Sequence, residues 1–283
     1  MIYLWSVLLL SGVLVFFAAM LIVAERCLLH YGPCTIDVEG RAEPLVTTGG
    51  QDLLTALGRE AIYIPSLCGK QGTCGYCKVT VLSGGGPVLP TELLYLTREE
   101  LRAGTRLACQ LKVRGDLHIR VSPTLLSAVR YRARVSSVLV LTPSVKELRL
   151  RLEDPRRLTF SHGQYLQLEI PVKGPAPVFR AYSIASPVYE TTELALDVQR
   201  VPGGVGSAYL HRLVVGDVVH FTGPYGEFRL SEDPDVEVVC VAGGCGLAPM
   251  KSIVYSVLDR WPGRVCRLFY GCRRAEDVFR MTN

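Results

Sequence analysis

Charged side chains are absent from the first 24 residues of this chain, and no Lys or Arg precedes Arg26. At about 1.5 Å per residue, such a segment forms a helix of roughly 36 Å, enough to cross a hydrocarbon core of about 30 Å. The alternative is a cleaved signal peptide, which would want a basic start and a small-residue cleavage site. Residues 1–24 are therefore predicted to be a single-pass anchor in the lipid bilayer. The positive-inside tendency places the soluble domains on the cytoplasmic side.

A strong excess of one charge is also absent. The net charge is only +5, and the arginines alternate with glutamates without an accompanying aromatic platform. This balance is typical of a solvated surface or of contact with anionic lipid, and it argues against nucleic-acid binding. The chain has ten cysteines. In a reducing compartment they indicate metal ligands and core thiols rather than disulfides.

Four of the cysteines have the spacing of an iron-sulfur site. Cys68, Cys74 and Cys77 lie in the loop C-G-K-Q-G-T-C-G-Y-C, and Cys109 follows later. The loop glycines can take positive φ and present bare N–H groups to inorganic sulfide. The alternatives are scattered core thiols and a zinc site, but zinc ribbons favour paired C-x2-C knuckles and this set contains only one. The spacing predicts a 2Fe-2S cluster, which carries single electrons.

Residues 34–121 alternate short apolar runs with turns. This pattern predicts an α+β domain, a small mixed sheet of the β-grasp kind wrapped over one helix. Thr97 and Glu100 form a capping box before a short helix that Gly104 closes. The strands are read from C-T-I-D-V, Y-I-P-S-L, K-V-T-V-L and L-H-I-R-V.

A linker over residues 122–128 leads to a second domain, residues 129–230. Regular spacing of strands and turns predicts an antiparallel β-barrel. Its strands are read from R-A-R-V-S-S-V-L-V-L, K-E-L-R-L-R-L, Q-Y-L-Q-L-E-I and T-E-L-A-L-D-V-Q-R-V.

The barrel sequence contains R-A-Y-S, residues 180–183, which suits a flavin. An arginine fork can bind a diphosphate, an aromatic face can cover a flat heterocycle, and a hydroxyl can hydrogen-bond a ring nitrogen. The glycine loop P-G-G-V-G-S-A-Y-L follows and enters a predicted helix whose N–H groups could bind a phosphate. The alternative for this loop is a surface turn with an N-cap at Ser207.

A third domain, residues 234–283, is predicted to be part of an α/β nicotinamide-binding domain. In V-E-V-V-C-V-A-G-G-C-G-L-A-P-M-K-S, an apolar strand enters a glycine turn and then a helix. This is the context in which a glycine loop binds a dinucleotide. Arg273 and Arg274 follow the next strand, where they suit either a 2′-phosphate or an NADH site.

The order of these motifs resembles the ferredoxin:NADP reductase superfamily with a fused ferredoxin. The apolar N-terminus, the cysteine loop, L-S-G-G-G-P-V-L-P-T-E and R-L-A-C-Q-L-K-V make the chain similar, more narrowly, to the F subunits of the sodium-translocating NADH:quinone oxidoreductase. The resemblance covers essentially the whole chain. Its combination of motifs is far more specific than any one of them.

The resemblance implies a role for each motif. The four cysteines would ligate the 2Fe-2S cluster. Arg180 would bind the FAD diphosphate, while the catalytic pair would be Tyr182, stacked on the isoalloxazine, and Ser183, near its reactive nitrogen. The FAD diphosphate would also be held by Gly204, Gly206 and Ser207. The nicotinamide side would be shaped by Gly243, Gly244, Gly246 and Pro249.

By the same resemblance, the chain would be the electron-input subunit of a sodium-pumping NADH:quinone oxidoreductase in the bacterial inner membrane. NADH would reduce FAD, and electrons would pass singly through the 2Fe-2S cluster to other membrane subunits and quinone, driving sodium export. Two alternatives share these modules. One is a membrane-tethered reductase feeding an oxygenase or desaturase, and the other is a non-catalytic electron-carrying or assembly subunit.

The chain departs from the family in two places. Cys245 stands where the family commonly has a small residue. The family's nicotinamide domain also continues well beyond the strand R-L-F-Y-G, so the chain is expected to be C-terminally truncated, with one strand-helix-strand unit of that domain. Such a unit offers little crevice for a dinucleotide. We therefore expect the chain to bind FAD but to be reduced by NADH slowly or not at all.

Overall fold

The computed structural model describes residues 2–28, 31–173, 177–228 and 230–279. Parts of the predicted domains lie outside the described residues, namely Met1, residues 174–176, Arg229 and residues 280–283. The chain divides into two compact units. Unit 1 comprises Met1–Glu60 and Cys77–Ser122, and unit 2 comprises Ala61–Tyr76 and Pro123–Asn283.

Helix α1, Ile2–Leu28, extends four residues beyond the predicted segment. Its stretch Trp5–Val23 has a mean hydropathy of 2.7, and none of that stretch is buried inside the protein. Within the described part of the chain, this is the one helix long and apolar enough to cross a membrane.

Unit 1 contains a mixed five-stranded sheet in the order β2-β1-β5-β3-β4. Strands β1 and β5 pair in parallel, whereas the other pairs are antiparallel. Helix α2, Leu53–Arg59, buries Leu53 and Leu57. The predicted mixed sheet with one covering helix is confirmed. Its strands are β1 Pro33–Val38, β2 Leu45–Thr48, β3 Lys78–Ser83, β4 Thr105–Leu107 and β5 Leu117–Arg120.

One predicted strand is wrong. Tyr63–Leu67, the run Y-I-P-S-L, has no regular secondary structure, and β4 takes a place in the sheet instead. Pro65 has no N–H to donate to a ladder, which disfavours a strand in this run.

The predicted capping box is confirmed at helix α3, Arg98–Arg102. The Glu100 N–H donates to Thr97 Oγ1 at 3.2 Å, and the Thr97 N–H donates to Glu100 Oε2 at 2.8 Å. Gly104 follows the helix with a φ of +79°, as a closing glycine should. The helix therefore starts and stops at the predicted signals.

Unit 2 contains a six-stranded antiparallel sheet in the order β10-β7-β6-β11-β8-β9. The two outer strands approach one another where the Ala185 N–H donates to the Ala195 carbonyl at 2.8 Å. The resulting barrel has a core that includes Leu148, Leu168 and Phe221, all fully buried. Its strands are β6 Val129–Val140, β7 Val145–Asp154, β8 Tyr165–Ile170, β9 Val178–Ser183, β10 Glu193–Gln199 and β11 Val218–Tyr225.

Two details of this part differ from the sequence expectation. The predicted linker contains a short helix, α4 Pro123–Leu126, for which Pro123 is a favourable first residue. Strand β11 was not among the predicted strands, because its sequence V-V-H-F-T-G-P-Y is interrupted by glycine and proline.

The remainder of unit 2 forms one strand-helix-strand unit, as predicted. Strands β12, Val238–Gly243, and β13, Cys266–Gly271, pair in parallel. The connecting helix α6, Leu247–Arg260, buries Ile253 and Val257 against Val238 and Cys240. A further helix, α5 Val205–Arg212, follows the glycine loop after β10.

Candidate functional site

Cys68 and Cys74 lie in the part of unit 2 that spans residues 61–76. Gly69 and Gly72 have φ values of +65° and +72°, so the glycines of this loop supply the left-handed conformations that its tight turns need. The Lys70 N–H donates to Ser66 Oγ at 3.0 Å and closes the first turn.

The environment of Cys68 suits a thiolate. Burial raises the pKa of this thiol, but hydrogen bonds to the sulfur outweigh burial and lower the pKa to about 6. The donors are the Thr73 backbone, the Cys74 and Thr73 side chains and the Gln71 backbone. Backbone donors aimed at a cysteine sulfur are also what a bound iron-sulfur cluster requires. The loop therefore fits the predicted ligand set.

Cys77 and Cys109 belong to unit 1, and both are nearly inaccessible to solvent. Cys77 directly precedes β3, and Cys109 lies two residues beyond β4. The Ala108 N–H donates to the Cys77 carbonyl at 2.8 Å, so the two cysteine-bearing segments are directly connected.

Among the described residues, no group of three or more His, Cys, Asp or Glu side chains could hold a single metal ion. A 2Fe-2S cluster has a different requirement, because its four thiolates are shared between two irons.

The predicted flavin residues come together at the end of β9 and the start of α5. Arg180, Tyr182 and Ser183 lie on β9, and Gly204 is the N-cap of α5. A Cβ on Gly206 would lie 2.9 Å from Arg180 Cγ and 2.9 Å from the Tyr182 hydroxyl oxygen. Only glycine allows this approach of helix to strand.

The chemistry of these groups fits FAD. Burial raises the pKa of Tyr182 to about 12, so the phenol is neutral and its ring can cover an apolar heterocycle. Arg180 Nη1 donates to the Phe179 carbonyl at 2.8 Å, which leaves other guanidinium N–H groups for a diphosphate.

The alternative of an N-cap at Ser207 is wrong. Ser207 lies in the first turn of α5 and is nearly buried, whereas the N-cap is Gly204. Ser207 Oγ accepts the Val201 N–H at 3.0 Å, so the side chain ties the glycine loop to the helix.

The predicted nicotinamide residues form the turn between β12 and α6. Gly243 ends β12, Gly246 is the N-cap of α6, and Pro249 lies in its first turn. Gly243 and Gly244 line a cavity of about 620 Å³ together with Gly271 and Arg273. Gly246 and Pro249 do not line it and instead shape the helix start.

Sequence reasoning missed two features of this region. The cavity is also lined by Gln199, Arg200 and Val201, at the end of β10 and directly before the glycine loop, which were not assigned to a cofactor. In addition, Lys251 Nζ of α6 lies 3.0 Å from Glu147 Oε2 and 3.5 Å from Asp197 Oδ2 of the barrel. An aspartate inside the apolar run L-A-L-D-V was the available signal for this ion group.

Three family models match successive parts of the chain. The 2Fe-2S iron-sulfur cluster binding domain matches residues 36–114, the oxidoreductase FAD-binding domain residues 132–230, and the oxidoreductase NAD-binding domain residues 240–282.

Two solved structures are similar to most of the chain. A cytochrome P450 reductase from Amycolatopsis is 34% identical with a TM-score of 0.64, and the match covers 88% of this chain and 75% of that one. The ferredoxin reductase in carbazole 1,9a-dioxygenase is 28% identical with a TM-score of 0.63 and the same two coverages.

Curated relatives are similar along nearly the whole chain. The F subunit of the Na⁺-translocating NADH-quinone reductase from Neisseria meningitidis is 35% identical over 300 positions, which cover 93% of this chain and 74% of the relative. The corresponding F subunit from Klebsiella pneumoniae is 31% identical over 301 positions with the same coverages. The chain belongs to the family of Na⁺-translocating NADH-quinone reductase F subunits.

Proposed function

We propose that this chain is the electron-input subunit of a sodium-pumping NADH:quinone oxidoreductase. Its relatives carry the name of that complex, and its own sequence matches domains for a 2Fe-2S cluster, FAD and NAD. When bound, FAD accepts two electrons as a hydride and releases them singly, and the cluster takes one at a time. Other subunits of the complex and finally quinone would receive these electrons.

The packing of Gly206 against Arg180 and Tyr182 carries this proposal. It brings a guanidinium, an aromatic face and a helix N-terminus together, and these groups suit the diphosphate and the ring of a flavin dinucleotide. In this arrangement Arg180 and the α5 loop, with Gly204 and Ser207, bind the diphosphate. Tyr182 would cover the flavin ring, and Ser183 would lie near its reactive nitrogen.

The remaining site residues have separate tasks. The four cysteines Cys68, Cys74, Cys77 and Cys109 hold the cluster. The nicotinamide nucleotide enters the cavity between Gln199–Pro202 and the glycine turn, at the carboxyl ends of β12 and β13. The proposed domain limits are residues 34–121, 129–230 and 234–283, following the motif boundaries.

The membrane part of the proposal rests on α1. Its exposed apolar side chains suit lipid contact, and the charged remainder of the chain follows it. We therefore place α1 across the inner membrane once, with the other domains in the cytoplasm. Protease added to inverted membrane vesicles should digest those domains, whereas protease added to spheroplasts should leave them intact.

A direct test is complementation of a bacterium that lacks its own copy of this F subunit. The cavity lined by residues 199–202 and the glycine turn offers NADH more room than the sequence led us to expect for one strand-helix-strand unit. Inverted vesicles containing this chain should therefore couple NADH oxidation to quinone reduction and sodium uptake, rather than react slowly or not at all. Vesicles with the Cys74→Ser chain serve as the matched control and should show neither activity. If the wild-type chain assembles with its partners but supports no quinone reduction, the proposal is wrong.

The second candidate is a membrane-tethered reductase for an oxygenase. It is favoured by the similarity to the two solved reductases, whose names refer to a cytochrome P450 and a dioxygenase. The candidates differ in the electron acceptor. Affinity purification from detergent-solubilised membranes should recover multi-span membrane subunits in the first case and an oxygenase component in the second.

A further inference from the structure

The motif L-S-G-G-G-P-V-L-P-T-E, residues 82–92, has no cofactor role among the assignments above. It leaves β3 and ends at Glu92, whose side chain is completely buried. Its partner is Arg106 of β4, which is 4% exposed. Burying a charged pair this deeply costs desolvation energy, which the hydrogen bonds of the pair must offset. These hydrogen bonds therefore identify the backbone segments that the pair holds in place.

Arg106 connects the glycine run of this motif to Glu92. Its Nη2 lies 2.7 Å from Glu92 Oε2, and its Nε lies 3.0 Å from both carboxylate oxygens. Its Nη1 donates to the carbonyls of Gly85 at 2.8 Å and Gly86 at 3.2 Å. One guanidinium therefore fixes the whole loop against β4.

Glu92 in turn holds the backbone on both sides. Its Oε2 accepts the Leu89 N–H at 2.9 Å, and its Oε1 accepts the Leu107 N–H at 2.8 Å. Leu107 is the last residue of β4, directly before Ala108 and Cys109. The carboxylate thus fixes the point at which β4 ends.

The end of β4 is also where the two buried cysteines are connected. Leu107 pairs with Lys78 in the β3–β4 ladder, and the Ala108 N–H donates to the Cys77 carbonyl. A shift of Leu107 would therefore move both cysteine-bearing segments. We propose that the Glu92–Arg106 pair is a positioning device that sets the placement of the Cys77 and Cys109 thiols for the cluster.

This inference rests on the proposed assignment of the four cysteines. Glu92 reaches the cysteine-bearing segments through the Leu107 N–H, so the proposed route is through the backbone. Mutation of groups that orient the ligands of a metal typically changes the metal affinity about 10- to 100-fold.

The first test is Glu92→Gln in the purified full chain. Glutamine keeps the size of the side chain but removes the charge that compensates Arg106. We expect the iron of this variant to be released to a chelator about 10- to 100-fold faster than wild type. We also expect an altered paramagnetic line shape of the reduced cluster, with unchanged FAD content. The matched control is Glu39→Gln, which breaks an exposed Arg–Glu pair of the same unit and should behave as wild type.

A second variant separates positioning from simple destabilisation. Glu92→Gln combined with Arg106→Met removes both charges, which should recover much of the lost resistance to denaturant. The hydrogen bonds of Arg106 to Gly85 and Gly86 are still lost, so iron release should remain fast. Recovery of wild-type release kinetics together with stability would overturn the positioning role.

Two other outcomes would overturn the inference in distinguishable ways. Wild-type iron release and line shape in Glu92→Gln would refute the positioning role alone. Full retention of the cluster in Cys109→Ser would refute the cysteine assignment and the inference with it.

Discussion

Replacing Gly206 by alanine should separate FAD binding from protein stability. The added Cβ would lie 2.9 Å from Arg180 Cγ and from the Tyr182 hydroxyl, about 0.5 Å short of an ordinary contact. Arg180 Cγ is close to the backbone of β9, and the tyrosine ring is rigid, so neither can simply turn away. The guanidinium and the ring must therefore move from the positions that we assign to FAD binding.

The two effects of this substitution differ in size. A charge-assisted hydrogen bond is worth about 1.5–3 kcal/mol, so loss of one contact to the FAD diphosphate should raise the Kd by roughly one to two orders of magnitude. Alanine within a helix is more favourable than glycine by about 0.5–1 kcal/mol. Overpacking costs about 1–3 kcal/mol and this gain offsets part of it, so the free energy of unfolding of the apoprotein should fall by no more than about 2 kcal/mol.

The assay is a fluorescence titration of apoprotein with FAD, paired with denaturant unfolding. Gly58→Ala in α2 is the matched control, because outside its own stretch of helix and its chain neighbours no heavy atom lies within 4 Å of the added Cβ. This control should gain about 0.5–1 kcal/mol in stability and keep the wild-type Kd for FAD. A wild-type Kd in Gly206→Ala would refute the assignment of the β9–α5 junction to FAD.

Three further predictions concern the cluster, the barrel contact and the anchor. Cys74→Ser should lose most of the iron and the paramagnetic signal of the reduced protein but keep its FAD, as measured by metal analysis and spectroscopy. Full iron retention in this variant would contradict the ligand assignment. Lys251→Met removes the ammonium that contacts Glu147 and Asp197, while Glu147 keeps Arg149 at 3.8 Å. It should lower the free energy of unfolding by at most about 3–5 kcal/mol in a denaturant titration, whereas Lys251→Arg should lose much less. Wild-type stability of Lys251→Met would show that the ion group is unimportant. Removal of residues 1–26 should release the protein from membranes with FAD and iron intact. A shortened chain that still sediments with salt-washed membranes would contradict the prediction of a single anchor.

Features with a local cause could be predicted from the sequence. The capping box at Thr97 needs only neighbouring residues, and the turns of the cysteine loop need only its glycines. The same holds for the alternating strands of the barrel, whose inward side chains are apolar. The fold class was therefore accessible before the structure.

Features that depend on distant residues could not be predicted. Lys251 meets a carboxylate 104 positions away, and no spacing rule connects them. Glu92 and Arg106 are 14 positions apart and look like ordinary surface charges until β4 is placed beside the glycine loop. The N-cap considered at Ser207 rested on a local residue preference that does not hold here. The N-cap of α5 is Gly204, and the Ser207 hydroxyl accepts the Val201 N–H instead.

We expect one polypeptide to hold both FAD and a 2Fe-2S cluster, the latter through Cys68, Cys74, Cys77 and Cys109. The most direct measurement is the stoichiometry of iron, acid-labile sulfide and FAD in the purified chain, combined with paramagnetic resonance after dithionite reduction. We predict roughly two irons, two sulfides and one FAD per chain, with the signal of a reduced 2Fe-2S centre. A chain that binds FAD but contains zinc, or no metal, at these cysteines would refute the assignment of the four cysteines to a 2Fe-2S cluster.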